Sequence, residues 1–189
     1  MDWNKHYLKS EHAFLGASSY HWLNYDEERL IQSWRSAKAK EKGTELHAFA
    51  AQCIKLGQKL PRSTKTLNQY VNDAIGFHMV PEQLLYYSDL AYGTADSISR
   101  LDSIMKDKFI RIHDLKTGVT PAKIEQLRIY LAYFCLEYHM DPMELDSELR
   151  IYQSGEVIIE NPDHYEIEEI MNKIITFDKI LSRIKEEES

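Results

Sequence analysis

Five short segments of the chain contain apolar residues at every second position or in compact apolar runs. A period of two places alternate side chains on opposite faces of a strand. Polar or glycine-containing stretches separate the segments, as is typical of turns. The pattern therefore predicts strands at 82–89, 92–99, 109–115, 149–153 and 157–160.

Two pairs of these strands are predicted to form hairpins. The polar stretch 100–108 is expected to be the turn between the second and third strands. Ser154 and Gly155 are expected to form the turn between the last two. Pairing of the second strand with the third would bring Asp96 beside Asp114.

The other segments repeat their apolar residues at spacings of three and four, the period of an amphipathic helix. Gly57 is expected to end one helix, Thr120 to cap another with Pro121 in its first turn, and Asp163 to cap the last. The remainder of 57–81 is predicted to be either a lid over the site or an insertion without substrate contact. The predicted helices are 27–42, 44–56, 121–138 and one from 163 onward, with a shorter helical pattern at 67–75.

Strand and helix segments together predict the α/β (α+β) class. A chain of 189 residues is long enough for one domain with a sizeable core. We expect a single domain over 1–189, made of an N-terminal helical arm at 1–42, a core at 43–160 and a C-terminal helix at 161–189. The apolar stripe of that last helix either covers the sheet or joins another subunit.

The composition is 43% apolar and 28% charged, which is ordinary for globular proteins and argues against disorder. We see neither an apolar run of membrane-spanning length nor a signal-peptide pattern, and therefore expect a soluble, cytoplasmic protein without membrane association. The formal charge of −7 argues against coating of nucleic acid by bulk electrostatics. Basic residues in the first third of the chain still allow a basic cleft.

The strand predicted at 109–115 carries the candidate chemistry. Alternation places Asp114 and Lys116 on one face and Leu115 on the other. Two carboxylates meeting at one point stay charged only with a cation between them, and Asp96 with Asp114 would form such a pair. Two aspartates and a backbone carbonyl suit Mg²⁺ and leave positions for phosphate and water. Lys116 would orient or deprotonate the attacking water, or neutralise charge on the phosphate.

The same residues, with their neighbours, resemble a known family. Asp96, the run DLK at 114–116 and the run QLRIY at 126–130 resemble the PD-(D/E)XK nuclease superfamily, and within it the RecB-like exonuclease branch. The run GTELH at 43–47 resembles that branch's upstream histidine motif, and 15–23 resembles its N-terminal segment. These elements occur in the family's order.

The resemblance implies a restriction-endonuclease-like core, with a central mixed sheet flanked by helices. It implies a divalent-metal-dependent DNA nuclease of the stand-alone phage type, an exonuclease acting at DNA ends in recombination, repair or phage DNA processing. Mg²⁺ or Mn²⁺ would be the cofactor. The implied metal ligands are His47, Asp96, Asp114 and the Leu115 carbonyl, and the implied catalytic residues are Asp96, Asp114, Lys116, Gln126 and Tyr130.

The chain departs from the family in two places. Related enzymes often have a glutamate one turn after the histidine, where this chain has Ala51 and Gln52. Some relatives hold an iron–sulfur cluster with four cysteines, whereas Cys53 and Cys135 are the only two here and read as buried, reduced thiols. We therefore expect no iron–sulfur cluster. Glu82 either assists the metal or is an exposed charge at a strand edge.

DNA with a free end is the expected partner, in a bacterial or phage-infected host cell. No helicase, ATP-binding or sequence-reading module is recognisable, so site choice would come from oligomerisation or a recombination partner. The alternative is a catalytically inactive nuclease fold that binds DNA or protein. The acidic charge and the missing glutamate favour that alternative, whereas the intact Asp96, Asp114 and Lys116 favour the nuclease.

Overall fold

The computed structural model describes residues 14–15, 17–102 and 108–188. The chain divides into two compact units, Met1–Gly43 and Thr44–Ser189. Among the helices of the described residues, none is both long enough and apolar enough to cross a bilayer. Every residue of the predicted catalytic and metal site belongs to the second unit.

The first unit contains a 3₁₀ helix, Ala17–Asn24, and the first part of helix α1, Glu27–Leu56. Asp26 caps α1, because its carboxylate accepts a 2.8 Å hydrogen bond from the backbone N–H of Arg29. The helix continues through Gly43, so the prediction of two helices separated at this glycine is wrong. One glycine costs a helix about 1 kcal/mol relative to alanine, which is too little to stop a helix of this length.

The end of α1 confirms the prediction made for Gly57. Its φ of +64° is a left-handed conformation that glycine adopts without strain. The N–H of Gly57 donates to the carbonyl of Ile54 at 3.1 Å, and the N–H of Gln58 donates to the carbonyl of Cys53 at 2.9 Å. These two bonds form a Schellman motif, which satisfies carbonyls at the helix end.

The second unit is built on a five-stranded mixed sheet in the order β1-β2-β3-β4-β5. All neighbouring strands are antiparallel except β3 and β4, which are parallel. A parallel connection needs a crossover, and helix α3 provides it. The strands are β1 Val80–Ser88, β2 Ala91–Asp102, β3 Lys108–Lys116, β4 Leu145–Gln153 and β5 Glu156–Glu160.

The hairpin of β2 and β3 is longer than predicted. Asp102 pairs with Lys108, so the expected turn at 100–108 is wrong at both of its ends. Its centre, 103–107, lies outside the described residues. Backbone hydrogen bonds do not require apolar side chains, so a ladder can continue through polar residues that give no alternating pattern.

Helices cover both faces of the sheet, which confirms the predicted class of a mixed sheet flanked by helices. Helices α3 (Glu125–Glu137) and α4 (His164–Glu187) lie on one face, and α2 (Thr66–Gly76) with the last turns of α1 lies on the other. The core beside α3 includes Leu85, Ile110, Ile112, Leu127, Leu131 and Cys135, and the core beside α2 includes Ala50, Cys53, Tyr70, Val71, Leu115 and Tyr152. Both cysteines are buried free thiols, as predicted.

Helix α3 begins at Glu125, later than the predicted cap at Thr120. The cause is Gln153 at the end of β4. Its side-chain amide donates to the Thr120 carbonyl at 2.8 Å and accepts from the Ala122 N–H at 2.9 Å. These tertiary bonds hold the segment in an irregular conformation before the helix, so the local capping signal does not decide where the helix begins.

The start of α4 agrees with the sequence. Asp163 is the N-cap, and its carboxylate accepts a 2.7 Å hydrogen bond from the N–H of Tyr165. This bond satisfies one of the free N–H groups of the first turn. A strong local cap was enough here, because no tertiary contact competes with it in the described contacts.

Candidate active site

The site lies where β2 separates from β3. The last pair of their ladder at this end is Ser97 with His113, and Asp96 and Asp114 come immediately after it. Beyond this point β2 continues beside β1 alone. Asp96 and Asp114 are the next residues in register at this fork, so the hairpin brings both to the same end of the ladder, in line with the predicted position of Asp96 beside Asp114.

Glu82 marks the same position on β1. It lies between the pairs Pro81 with Ser97 and Gln83 with Ala95, and so faces Asp96 across the ladder. Its φ of +55° is a left-handed conformation that costs a non-glycine residue on the order of 1 kcal/mol. The Glu82 side chain is exposed, so its predicted role in assisting the metal stays a prediction.

Asp96 binds two groups from different parts of the chain. Its Oδ2 accepts a 2.8 Å hydrogen bond from the backbone N–H of Leu115 and lies 3.2 Å from Nδ1 of His47. The hydrogen bond to Asp96 raises the pKa of His47, although burial opposes this. His47 on α1 is thus brought to the fork, in agreement with its predicted place beside Asp96.

Asp114 is nearly enclosed, with 3% of its surface exposed. Nζ of Lys116 lies 3.0 Å from each carboxylate oxygen and makes a hydrogen bond to Oδ1. Oδ2 is buried, and its contact with Lys116 is an ion pair without a hydrogen bond. Burial and, next, the charge of Asp96 raise the pKa of Asp114, while Lys116 opposes the shift. The charged form of Asp114 is therefore unfavourable in this position unless a further cation lies beside it.

The predicted alternation on β3 is confirmed. Lys116 and Asp114 meet on one face, whereas Leu115 is buried in the core beside α2 on the other. The contact of Leu115 with the site is its N–H, which donates to Asp96. The predicted use of its carbonyl as a metal ligand stays a prediction.

Helix α3 adds Gln126 and Tyr130 to the site. Lys116 Nζ donates to Oε1 of Gln126 at 2.8 Å, and Nε2 of Gln126 donates to the Tyr130 hydroxyl at 2.8 Å. One turn separates the two α3 residues, so both project from one face of the helix. Four of the five predicted catalytic residues thus form a continuous hydrogen-bonded chain from Asp114 to Tyr130, and Asp96 lies beside it at the fork.

Two structural features lie behind this chain. The glycine at position 93 predicted a close backbone approach near Asp96, but the sequence did not identify Tyr130 as the group that approaches, and it gave no signal for the second feature. Gly93 on β2 lies under the Tyr130 ring, where an added Cβ would be 2.8 Å from Cε1. His113 is buried behind Asp114, and burial, followed by the charges of Arg150 and Arg111, lowers its pKa to about 3. A neutral imidazole adds no positive charge to the back of the site.

A cavity of about 260 Å³ opens beside Lys116. Its walls come from segments far apart in sequence, so no local motif could have predicted it. Its volume is small for a drug-sized ligand but large enough for part of a nucleotide. The lining residues include Leu46, Leu67, Thr117, Gly118, Val119 and Ser154.

The donor atoms at the fork have the chemistry that a divalent cation prefers. Across residues 14–15, 17–102 and 108–188, no three His, Cys, Asp or Glu side chains are already arranged as a metal site. Asp96 and Asp114 nevertheless offer oxygen donors, and His47 a nitrogen, which suit Mg²⁺ and Mn²⁺. The buried Oδ2 of Asp114, which forms an ion pair with Lys116 but accepts no hydrogen bond, is the observation that favours a cation.

No protein-family model, no curated protein and no solved structure matches this chain.

Proposed function

We propose that the chain is a divalent-metal-dependent DNA nuclease that hydrolyses phosphodiester bonds at DNA ends. The observation that carries the proposal is the meeting of Asp96, Asp114 and Lys116 at the fork between β2 and β3. Two carboxylates and one ammonium are held together there at an electrostatic cost, since the pKa of buried Asp114 is raised. Such a cost is typical of sites shaped for chemistry.

We further propose that the sheet is the restriction-endonuclease-like core of a RecB-like PD-(D/E)XK nuclease. The support is that residues matched to that family's motifs lie far apart in sequence and converge. His47 contacts Asp96, and the hydrogen-bonded chain from Asp114 continues to Gln126 and Tyr130. Residues chosen from unrelated motifs would have no reason to meet at one point.

In this proposal Asp96, Asp114, the Leu115 carbonyl and His47 hold Mg²⁺ or Mn²⁺. Bound there, the cation would polarise the phosphoryl oxygen, lower the pKa of a water and stabilise the departing oxygen. Loss of the His47 proton would release Asp96 from its present ion pair, since a ligating imidazole must be neutral.

Lys116 is placed to act on the attacking water or on the phosphate. Its ammonium has three N–H donors, and the hydrogen bonds to Asp114 and Gln126 use two of them. The third can donate to the water or to a phosphate oxygen. Gln126 and Tyr130 hold the ammonium in place from α3, and Tyr130 offers a hydroxyl to the DNA backbone.

The activity test compares end-labelled linear DNA with closed circular DNA, single- and double-stranded, in Mg²⁺, Mn²⁺ or EDTA. We expect metal-dependent loss of linear DNA, reduced by on the order of 10²–10³-fold in Lys116→Ala. Lys123→Ala is the matched control, because that lysine is exposed in the nearby loop. Cleavage of circles as well would indicate an endonuclease.

Metal binding is tested separately from cleavage. A cation that binds the native state stabilises it by about 2.7 kcal/mol at one hundred times its Kd. We expect Mn²⁺ to raise the Tm of the wild-type protein and not that of Asp114→Asn. Folded protein that neither binds Mn²⁺ nor cleaves any substrate would overturn the proposal and favour an inactive nuclease fold that binds DNA or protein.

A further inference from the structure

Helix α4 carries an apolar seam with a seven-residue repeat. Two series of apolar residues, each spaced by seven and offset from the other by three, run along one side of the helix. This is the a and d pattern of helices that pair through a coiled-coil contact. The residues are Ile167, Ile170, Ile174, Phe177, Leu181 and Ile184.

The two halves of this seam have different environments. Ile167 is buried, and Ile170 and Ile174 pack against the core beside α3. Phe177 and Leu181 are 55% and 48% exposed, and Ile184 is also exposed. The seam therefore continues past the part of the fold that covers it, and its second half is a surface of large apolar side chains.

A groove joins the covered half to the exposed half. It lies between α3 and α4, has a volume of about 770 Å³, and is lined by Ile129, Tyr133, Ile174 and Phe177 among others. Ile129 is also exposed for an apolar residue of α3. A helix lying along the exposed seam would place its end over this groove, so one occupant would cover both surfaces.

The charges around the seam favour a second copy of the chain as that occupant. The helix and its C-cap carry acidic residues at 166, 168, 169, 178 and 186–188 and basic residues at 173, 179, 183 and 185, so its polar face has mixed charge. A nucleic acid or an anionic membrane would favour a uniformly basic polar face. A helix of mixed charge fits a second copy of itself better, because antiparallel pairing brings basic Lys173 of one copy to acidic Glu187 of the other.

We propose that α4 pairs antiparallel with α4 of a second copy and forms a two-fold symmetric dimer. A two-fold interface uses the same surface on both subunits, so each contact occurs twice. In antiparallel pairing an a residue meets a d residue. Phe177 then packs on Leu181 of the second copy, and Ile174 packs on Ile184 of the second copy.

The residues beside the seam fit this register. On one flank of the seam, Lys173 meets Glu187 of the second copy, and Ile180 meets Ile180 of the second copy. The present partner of Glu187 is Arg183 at 3.8 Å, and both side chains are about 70% exposed, so that ion pair is weak. On the other flank, Asp178 faces Asp178 of the second copy. Within its own subunit each Asp178 accepts a hydrogen bond from the Ser88 hydroxyl.

Sedimentation equilibrium over a range of concentrations tests the proposal. We expect a dimer for the wild-type chain and a monomer for Leu181→Asp, whose fold should be unaffected because Leu181 is half exposed. Lys179→Asp is the control, since that residue lies on the opposite side of the helix from the seam. Lys116→Ala should dimerise like the wild type, which separates this proposal from the nuclease proposal.

A charge exchange tests the antiparallel register. Lys173→Glu and Glu187→Lys should each weaken dimerisation, and the double variant should recover most of the lost affinity. A monomeric wild-type chain at all concentrations would overturn the proposal. So would a dimer that survives Leu181→Asp, or two charge variants whose effects simply add.

Discussion

Replacing Gly93 with alanine is a sharp test of how β2 supports the site. Gly93 lies beneath the ring of Tyr130, and a Cβ at this position would be 2.8 Å from Cε1 and 3.6 Å from Cδ1. Carbon atoms in favourable contact are about 3.5–4.0 Å apart. The Tyr130 ring must therefore move by roughly 1 Å, which would break its hydrogen bond to Gln126.

The expected cost follows from two opposing effects. Overpacking of this kind costs about 1–3 kcal/mol, because neighbours must leave their preferred positions. The alanine also restricts the unfolded chain, which returns about 0.4–1 kcal/mol. Gly93 has no left-handed φ, so no backbone strain is added. We expect a net loss of about 1–2 kcal/mol in the free energy of unfolding.

Urea denaturation of three variants measures this loss. Gly76→Ala is the matched control, because a Cβ there has no atom within 4 Å and should leave stability unchanged or slightly higher. Tyr130→Ala removes the ring that the new Cβ would meet. In that background only the effect on the unfolded chain remains, so Gly93→Ala should stabilise by about 0.4–1 kcal/mol, and the coupling energy should equal the overpacking cost of about 1–3 kcal/mol.

The nuclease assay gives a second readout of the same contact. We expect Gly93→Ala to lower cleavage, because the displaced Tyr130 no longer supports Gln126 and, through it, Lys116. The reasoning is refuted if Gly93→Ala and Gly76→Ala have equal stabilities. It is also refuted if Gly93→Ala costs the same with and without the Tyr130 ring.

Three further predictions concern stability. Gly57→Ala should cost about 1 kcal/mol in urea denaturation, because φ is +64° there. Burial alone would raise the pKa of Glu148, but the charges of Arg150 and Arg111 hold this pKa below its ordinary value. The ionised Glu148 therefore stabilises the folded protein above about pH 4.3, and this stabilisation is lost as the pH falls through the lowered pKa. Glu148→Gln should therefore destabilise at pH 7 and flatten the acid side of the curve of unfolding free energy against pH. Burial raises the pKa of Asp114, so above the ordinary aspartate pKa the charged carboxylate destabilises the folded protein. In EDTA, Asp114→Asn should therefore be more stable than the wild type at pH 7 but not near pH 4.

Local signals in the sequence were sufficient for some elements and not for others. The alternation on β3 correctly placed Lys116 with Asp114, and the capping residue Asp163 correctly began α4. Gly43 suggested a break in α1 that does not occur, and Thr120 suggested a cap that Gln153 overrides. The failures share one cause, which is that a local preference of about 1 kcal/mol is decided by its surroundings.

The candidate site shows the same division. The residue types and their order along the chain indicate Asp96, Asp114, Lys116 and His47 as candidate site residues. What these residues can do chemically depends on the distances between them, and the order of residues along the chain does not give those distances. The contact of His47 with Asp96 joins α1 to β2, and Gly93 lies under an α3 residue that no spacing rule connects to it.

The sequence by itself therefore determined the five strands, most of the helical segments, the faces of β3 and the candidate donors, because side-chain period and capping act over a few residues. Only the tertiary structure decided where β2 leaves β3, that Asp114 is buried with a raised pKa, and that the second half of the α4 seam is exposed. Burial and electrostatics arise from residues that are distant in the chain and close in space, and that proximity exists only in the folded molecule.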